Sequence, residues 1–340
     1  MINDKENPDF IIVAYHGGYE CNLETGLSEA KNSDENLGCK IFTQINDIDL
    51  LLTGHEHRLI THRDGNRVIH QVGYAGSHVS HTIVTFSKDE KWEVTSEEAS
   101  LVSMETYKDD QDILNHLSNF LKFADVQLNE IIGYATPDFL INDAFDARLH
   151  KHKVIQYINE VQMKTTQAMI SCCGLGNDVT GFHETITLRD VLNTYVFPNT
   201  LFLCEITGKT LIEALNHNAQ FFVLNEFGDF DINPSYLYPK KEFYNYDIFD
   251  GIDYEIIVKK DGANEVKNVM YQGKRIIDHK IYTLVLNSYR MSGGGNITWN
   301  KSLKVIKAYP LDITEILIQD IKEKKKIDIN YQKNITINKS

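Results

Sequence analysis

The sequence predicts an α+β protein of more than one domain, and three observations carry that expectation. Two short apolar runs near the start flank an amphipathic helix, giving one β-α-β unit. A stretch of short β-rich runs follows, broken by turn residues. A long apolar-periodic segment then leads into a second region that mixes helices and strands.

The opening unit is read from Phe10 to Tyr15 (FIIVAY) and Ile48 to Thr53, both short enough to be buried strands. Between them Leu37, Ile41 and Ile45 recur every four residues, one stripe of a helix. A crossover of that length makes the two strands parallel. The runs end at His16-Gly17-Gly18 and at Gly54-His55-Glu56-His57, so both histidine-bearing loops fall at strand carboxyl ends, where open α/β sheets gather ligands.

From Asp64-Gly65 to Met104 the runs Arg67 to Val72, Ser80 to Phe86 and Trp92 to Thr95 read as antiparallel strands. Residues 113, 117, 120, 121, 124 and 128 place one apolar stripe on a helix spanning Asp109 to Ile132. After Pro137 helices are expected at Val154 to Gln167, Leu188 to Thr194 and Lys209 to Asn216. Strands are expected at Met169 to Cys173, Leu201 to Ile206, Tyr254 to Val258 and Ile281 to Asn287. The tail from Ile318 is lysine-rich and reads as a last helical turn with a frayed end. The expected domains are 1–108, a linker helix 109–136, a substrate-binding domain 137–315 and a tail 316–340.

Composition narrows the partners. The chain has 340 residues, 42% hydrophobic and 24% charged, which is enough apolar material for two cores. Its net charge of -14 argues against duplex nucleic acid, because neutralising phosphates needs a basic face. No run of 18 apolar residues and no apolar leader occurs, so neither a membrane span nor a signal peptide is expected. Five cysteines, with Cys172 and Cys173 adjacent, read as reduced thiols and not as a disulfide framework.

The metal chemistry is carried by His55 and His57, spaced i, i+2 behind a glycine, with His16 on the neighbouring loop. Six of the thirteen histidines fall between residues 55 and 81, so local bias alone can produce such a pair. His62, His70, His78 and His81 are read as structural.

TGHEH after a buried strand, preceded by HGG, resembles the last metal-binding segments of calcineurin-like metallophosphoesterases. VFPNTL (196–201), EITGKTLIEAL (205–215), YNYDIFDGIDY (244–254) and NSYRMSGGGN (287–296) follow in the order seen in the 5′-nucleotidase family. Its bacterial 2′,3′-cyclic-nucleotide 2′-phosphodiesterase/3′-nucleotidase members look most similar. The resemblance implies the C-terminal remnant of a four-layer αββα metallophosphoesterase domain, a linker helix and a mixed α+β nucleotidase C-terminal domain.

It also implies His16, His55 and His57 as ligands of divalent ions such as Zn or Mn. Tyr244 and Tyr289 would sandwich a nucleobase, and Asn245 would either bond the base or start a turn. The family's segments D-x-H, G-D and G-N-H-D/E do not stand before His16, so its catalytic dyad and bridging carboxylate are expected upstream of Met1, and no catalytic residue is assigned here. A two-metal phosphatase lacking that carboxylate has too few partners for its second ion.

Three functions follow as expectations. The intact enzyme would hydrolyse nucleotide phosphate esters, with hinge motion about residues 109–132. The chain alone would bind a nucleoside without turnover, or a separate chain would supply the missing N-terminal half. The glycine run lacks the acidic residue common in the nucleotidase branch, which leaves ribose recognition open. The compartment is open too: such enzymes are often exported, whereas reduced thiols lean toward the cytoplasm.

Overall fold

A computed structural model describes residues 6–28, 36–89, 92–238, 240–295 and 297–340. The opening MINDK and Asn296, the last residue of the glycine motif, lie outside the described residues. The chain divides into two units, Met1–Asn115 with Tyr238–Lys240, and His116–Leu237 with Lys241–Ser340.

In the first unit β1 (Ile12–Ala14) and β2 (Leu50–Thr53) pair in parallel across α1 (Gly38–Gln44), as the apolar spacing predicts. β3 (Leu59–Asp64) and β4 (Arg67–Val72) complete a sheet of order β1-β2-β4-β3. Here the sequence reading needs correction: Arg67 to Val72 runs parallel to β2, and its antiparallel partner is β3, a strand not anticipated. Val68 and Ile69 are both fully buried, which is why this strand sits centrally. Ile69 forms a small core with Leu51, Phe42, Ile48 and Ile60. β5 (His78–Lys88) and β6 (Trp92–Ser103) form a separate antiparallel ribbon, longer than its apolar runs imply.

The expectation of five reduced thiols is also corrected. Cys21 and Cys39 form a disulfide, while Cys172, Cys173 and Cys204 are free and buried. The pair lies 18 residues apart in sequence, a separation that gave no spacing signal.

α2 (Gln111–Leu128) is shorter than predicted, because Ile131 and Ile132 open β7 (Ile131–Tyr134). None of the α2 residues is buried, and Phe120 and Val126 are about two thirds exposed. The helix stripe was legible, but it packs little.

The second unit is built on a five-stranded mixed sheet, order β13-β8-β17-β10-β18. α3 (Asp146–Leu149) and α4 (Lys153–Thr166) precede β8 (Ile170–Gly174), and β9 (Thr185–Thr187) leads into α5 (Leu188–Thr194) through a Thr187/Asp190 capping box. β10 (Thr200–Thr207), α6 (Gly208–Ala219) and the β11 (Phe222–Leu224)/β12 (Phe230–Ile232) ribbon follow. Then come β13 (Asp247–Asp250), β14 (Asp253–Val258), β15 (Glu265–Tyr271), β16 (Lys274–Arg275) and β17 (Ile281–Asn287). α7 (Ser288–Met291), β18 (Lys304–Asp312), α8 (Ile313–Lys324) and β19 (Ile335–Lys339) end the chain.

Two further expectations change. Asp250-Gly251 is not a hairpin turn, because β13 belongs to the five-stranded sheet and β14 to a second sheet, order β16-β15-β14-β19. The tail is not frayed: β19 pairs in parallel with β14. What holds it is polar burial that no hydropathy pattern reveals. Asn334 donates to the Phe249 and Ile252 carbonyls, and its side-chain oxygen, with Asp250, accepts from the buried Lys151 ammonium.

Candidate functional site

In the first unit the β1 and β2 ends bring His16 and His55 side by side, ring centroids 5.6 Å apart and edge to face. The Gly17 carbonyl accepts the Gly54 amide at 3.0 Å, tying the two loops backbone to backbone. His55 and His57 both take left-handed backbone, φ 67° and 60°, a costly conformation for two non-glycine residues in one turn. The alternation turns the intervening Glu56 inward.

His57 stacks on Tyr74 at 4.9 Å. Partial burial, then Lys240 and the other two imidazoles, hold it below the ordinary histidine range. His70, read as structural, has both ring nitrogens at threonine hydroxyls, Thr61 on β3 and Thr82 on β5.

The donor types suit a borderline transition metal. Their placement fits only in part, since His16 and His55 converge while His57 faces Tyr74. Among the described residues the three ligand atoms gathered within 4.8 Å are those of Glu20, Cys21 and Cys39. That group is no metal centre. Its sulfurs are joined to each other, and the Glu20 carboxylate accepts the Cys39 and Lys40 amides at the start of α1.

Glu56 is the residue that sequence reasoning passed over. It is buried, and Oε2 accepts the Tyr19 amide at 2.8 Å. Burial pushes its carboxyl up, opposed by that amide and by Arg58, whose Nη1 stands 3.7 Å away and also donates to the Tyr19 carbonyl at 2.7 Å. A Cβ on Gly18 would fall 2.1 Å from the Glu56 side chain, so a larger residue there would displace the carboxylate. The HGGY and GHEHR loops are thus one packed object.

In the second unit Tyr244 and Tyr289 come from different loops, at the approach to β13 and on α7. Their rings lie 6.1 Å apart at 67°, edge to face, and Phe197 meets Tyr244 in the same manner at 5.5 Å. A base slot between parallel rings needs about 7 Å, two contacts of roughly 3.5 Å. One ring must therefore swing before a base enters between them. Phe197, within VFPNTL, is 40% exposed and through its contact with Tyr244 extends the same aromatic ledge.

Asn245 is buried, its oxygen accepting from Arg290 at 2.8 Å and from the Tyr289 hydroxyl at 3.4 Å, its amide donating to Glu242. Arg290 itself is 1% exposed and pairs bidentately with buried Asp247, Nε to Oδ2 at 2.7 Å and Nη2 to Oδ1 at 3.2 Å. Burial works against its charge, and Asp247 more than offsets this. A Cβ on Gly294 would strike the Tyr289 ring at 2.2 Å, so the glycine run is a close approach and not merely slack.

These loops sit on a mixed α+β domain whose motif order follows the chain, and the comparisons agree. Residues 131–302 match the family described as 5′-nucleotidase, C-terminal domain. The chain belongs to that family.

A 2′,3′-cyclic-nucleotide 2′-phosphodiesterase/3′-nucleotidase of Haemophilus influenzae is 26% identical over 333 residues, covering 81% of this chain and 50% of the relative. A Staphylococcus aureus protein described as a 5′-nucleotidase, crystallised with α-ketoglutarate, superimposes with TM-score 0.87 at 30% identity. The match covers 98% of this chain and 65% of that one. The 5′-nucleotidase precursor of Thermus thermophilus shares the fold at 16% identity and TM-score 0.53, over 86% of this chain and 60% of that one. The chain spans about half the length of the Haemophilus relative.

Proposed function

We propose that this chain binds the nucleoside part of a nucleotide on the Tyr244/Tyr289/Phe197 ledge and that it serves a hydrolase of nucleotide phosphate esters, of the 2′,3′-cyclic phosphodiesterase or nucleotidase type. The observation that carries the reading is the meeting of Tyr244 and Tyr289 from two separate loops at 6.1 Å, within a domain of the 5′-nucleotidase family. Two aromatic faces bind any base, because every base has a π-face and stacking contributes about 1 to 3 kcal/mol per base.

His16 and His55 would hold a divalent ion such as Zn or Mn, with His57 joining them once its ring leaves Tyr74. The ion's chemistry would be to stabilise charge on the phosphate. We favour nucleoside binding as the first property to test, because among the described residues no carboxylate is gathered with the three imidazoles. The Cys21–Cys39 disulfide is a bond that persists in oxidising compartments, and it supports an exported setting.

Among the described residues no helix is long and apolar enough to cross a membrane.

The test has two arms. Adenosine is titrated calorimetrically into the wild type and into Tyr244→Ala and Tyr289→Ala; equal affinity in all three ends the ledge reading. Ring opening of 2′,3′-cyclic AMP to 3′-AMP, and phosphate release from 3′- and 5′-AMP, are assayed with Mn²⁺ or Zn²⁺. Turnover lost in His55→Ala would show that the chain is itself the enzyme.

A further inference from the structure

The rings of the ledge do not hold themselves in place. Tyr244 lies in a short turn between Glu242 and Tyr246, and Tyr289 in the four-residue helix α7, so neither has regular structure on both sides. One guanidinium ties the two segments together. Arg290 carries five N–H donors, and all five are used. Nε and one Nη2 hydrogen go to Asp247, and the other Nη2 hydrogen goes to the Tyr244 carbonyl at 2.8 Å. Nη1 donates to Asn245 Oδ1 at 2.8 Å and to the Gly294 carbonyl at 2.9 Å. The same group lies 5.2 Å from the centroid of the Tyr289 ring.

Every partner is a piece of the ledge. The Tyr244 backbone, the amide that accepts the Tyr289 hydroxyl, the glycine carbonyl beneath that ring and the ring face itself all touch one buried cation. The cation is in turn fixed by a carboxylate at the start of β13, a core strand. A planar fork is needed, because a lysine ammonium has three donors and no plane to match Asp247 bidentately.

Resting on the nucleoside reading above, we propose that Arg290, anchored by Asp247, is the positioning residue that sets the spacing and angle of Tyr244 and Tyr289 and so determines nucleoside affinity without itself touching the ligand.

The variant Arg290→Lys keeps a charge opposite Asp247 but cannot reach all five acceptors. Its melting temperature is measured first, because the site is buried. Adenosine titration of the folded variant is expected to show affinity weakened about tenfold or more, the effect of losing roughly one stacking contact. If Arg290→Lys does not fold, Gly295→Ala takes its place. A Cβ at residue 295 falls 2.5 Å from Arg290 Nη1 and 2.6 Å from Asn245 Oδ1, so it displaces the fork with every charge retained.

A second readout needs no ligand. In 3-fluorotyrosine-labelled chain, the resonances of Tyr244 and Tyr289, assigned through their Phe variants, are expected to move in the variant while that of Tyr157 on α4 stays. Wild-type affinity in a folded variant, or unmoved Tyr244 and Tyr289 resonances, overturns the proposal. Wild type that binds no adenosine, with resonances that do move, overturns the nucleoside reading and leaves the positioning role standing.

Discussion

Glu56 accepts the backbone amide of Tyr19 through Oε2 at 2.8 Å, across 37 residues of sequence. A carboxylate between two histidines thereby fixes the loop that carries a third. The Gly18 position fits beneath it with no room for a methyl group. Gly18→Ala should cost about 1 to 3 kcal/mol through overpacking, and Glu56→Ala a similar amount through the orphaned amide. Together they should cost less than their sum, with a coupling of about 0.5 to 3 kcal/mol, because removing the carboxylate opens space for the new methyl. Chemical denaturation of the four proteins measures the cycle, and strict additivity would mean the loops do not pack as described.

The disulfide makes a second expectation. Cys21 lies just after the HGGY loop and Cys39 opens α1, so the bond closes a loop over 18 residues of sequence. Reduction, or the Cys21→Ser/Cys39→Ser pair, should lower the stability of the first unit by about 3 kcal/mol. The second unit should be indifferent, since its three thiols are free already. Thiol titration that finds five free cysteines in non-reduced protein would contradict the bond.

Asp320 on α8 gives a pH signature. Burial would raise its carboxyl, but bonds from Lys324, Lys164 and Tyr157 win and hold it below the ordinary aspartate range. A depressed carboxylate stabilises the fold above its unfolded pKa of about 4, and that contribution is lost as pH falls through the folded value. Asp320→Asn should therefore be less stable than wild type at neutral pH, and the difference should shrink in acid. A stability gap constant from about pH 7 to about pH 3 would mean that the carboxyl titrates alike in the folded and unfolded chain and is not held down.

The chain's last strand yields a fourth. Asn334→Ala removes two amide donors, to the Phe249 and Ile252 carbonyls, and one acceptor of Lys151. Buried groups left without partners cost about 1 to 3 kcal/mol each. Hydrogen exchange should show β19 and β14 opening together in the variant, whereas a tail that is fully exchanged in wild type would mean the pairing does not form.

Much of the fold was readable because it follows apolar periodicity. β1, α1 and β2, and the α4, α5, β8, β10, β14 and β17 segments of the second unit, each show their spacing in the sequence. What failed had other causes. β4 looked like any short β run, and only full burial of Val68 and Ile69 tells that it lies parallel beside β2. β19 was missed because its docking depends on Lys151, Asp250 and Asn334, polar residues far apart in the chain.

The site divides in the same way. Motif position singles out His16, His55, Tyr244 and Tyr289 as candidates, and the structure sets the first two side by side and the last two in contact. Glu56, Asp247 and Arg290 stand inside TGHEH, YNYDIFDGIDY and NSYRMSGGGN, but spacing alone gives them no role. Each is a buried charge, and a buried charge is recognisable only when its partners are in view. Arg290 had one available signal, as the only cation inside NSYRMSGGGN.

The docking of β19 also bears on how the polypeptide is made. The Ser340 amide donates to the Val258 carbonyl, and Ile335 to Lys339 flank Tyr254 to Val258. A nascent chain still on the ribosome has β14 in the open long before its neighbour emerges. That edge stays unpaired until the final codons of this stretch have been translated and cleared the exit tunnel, so chaperone contact during synthesis should concentrate on the strand that waits.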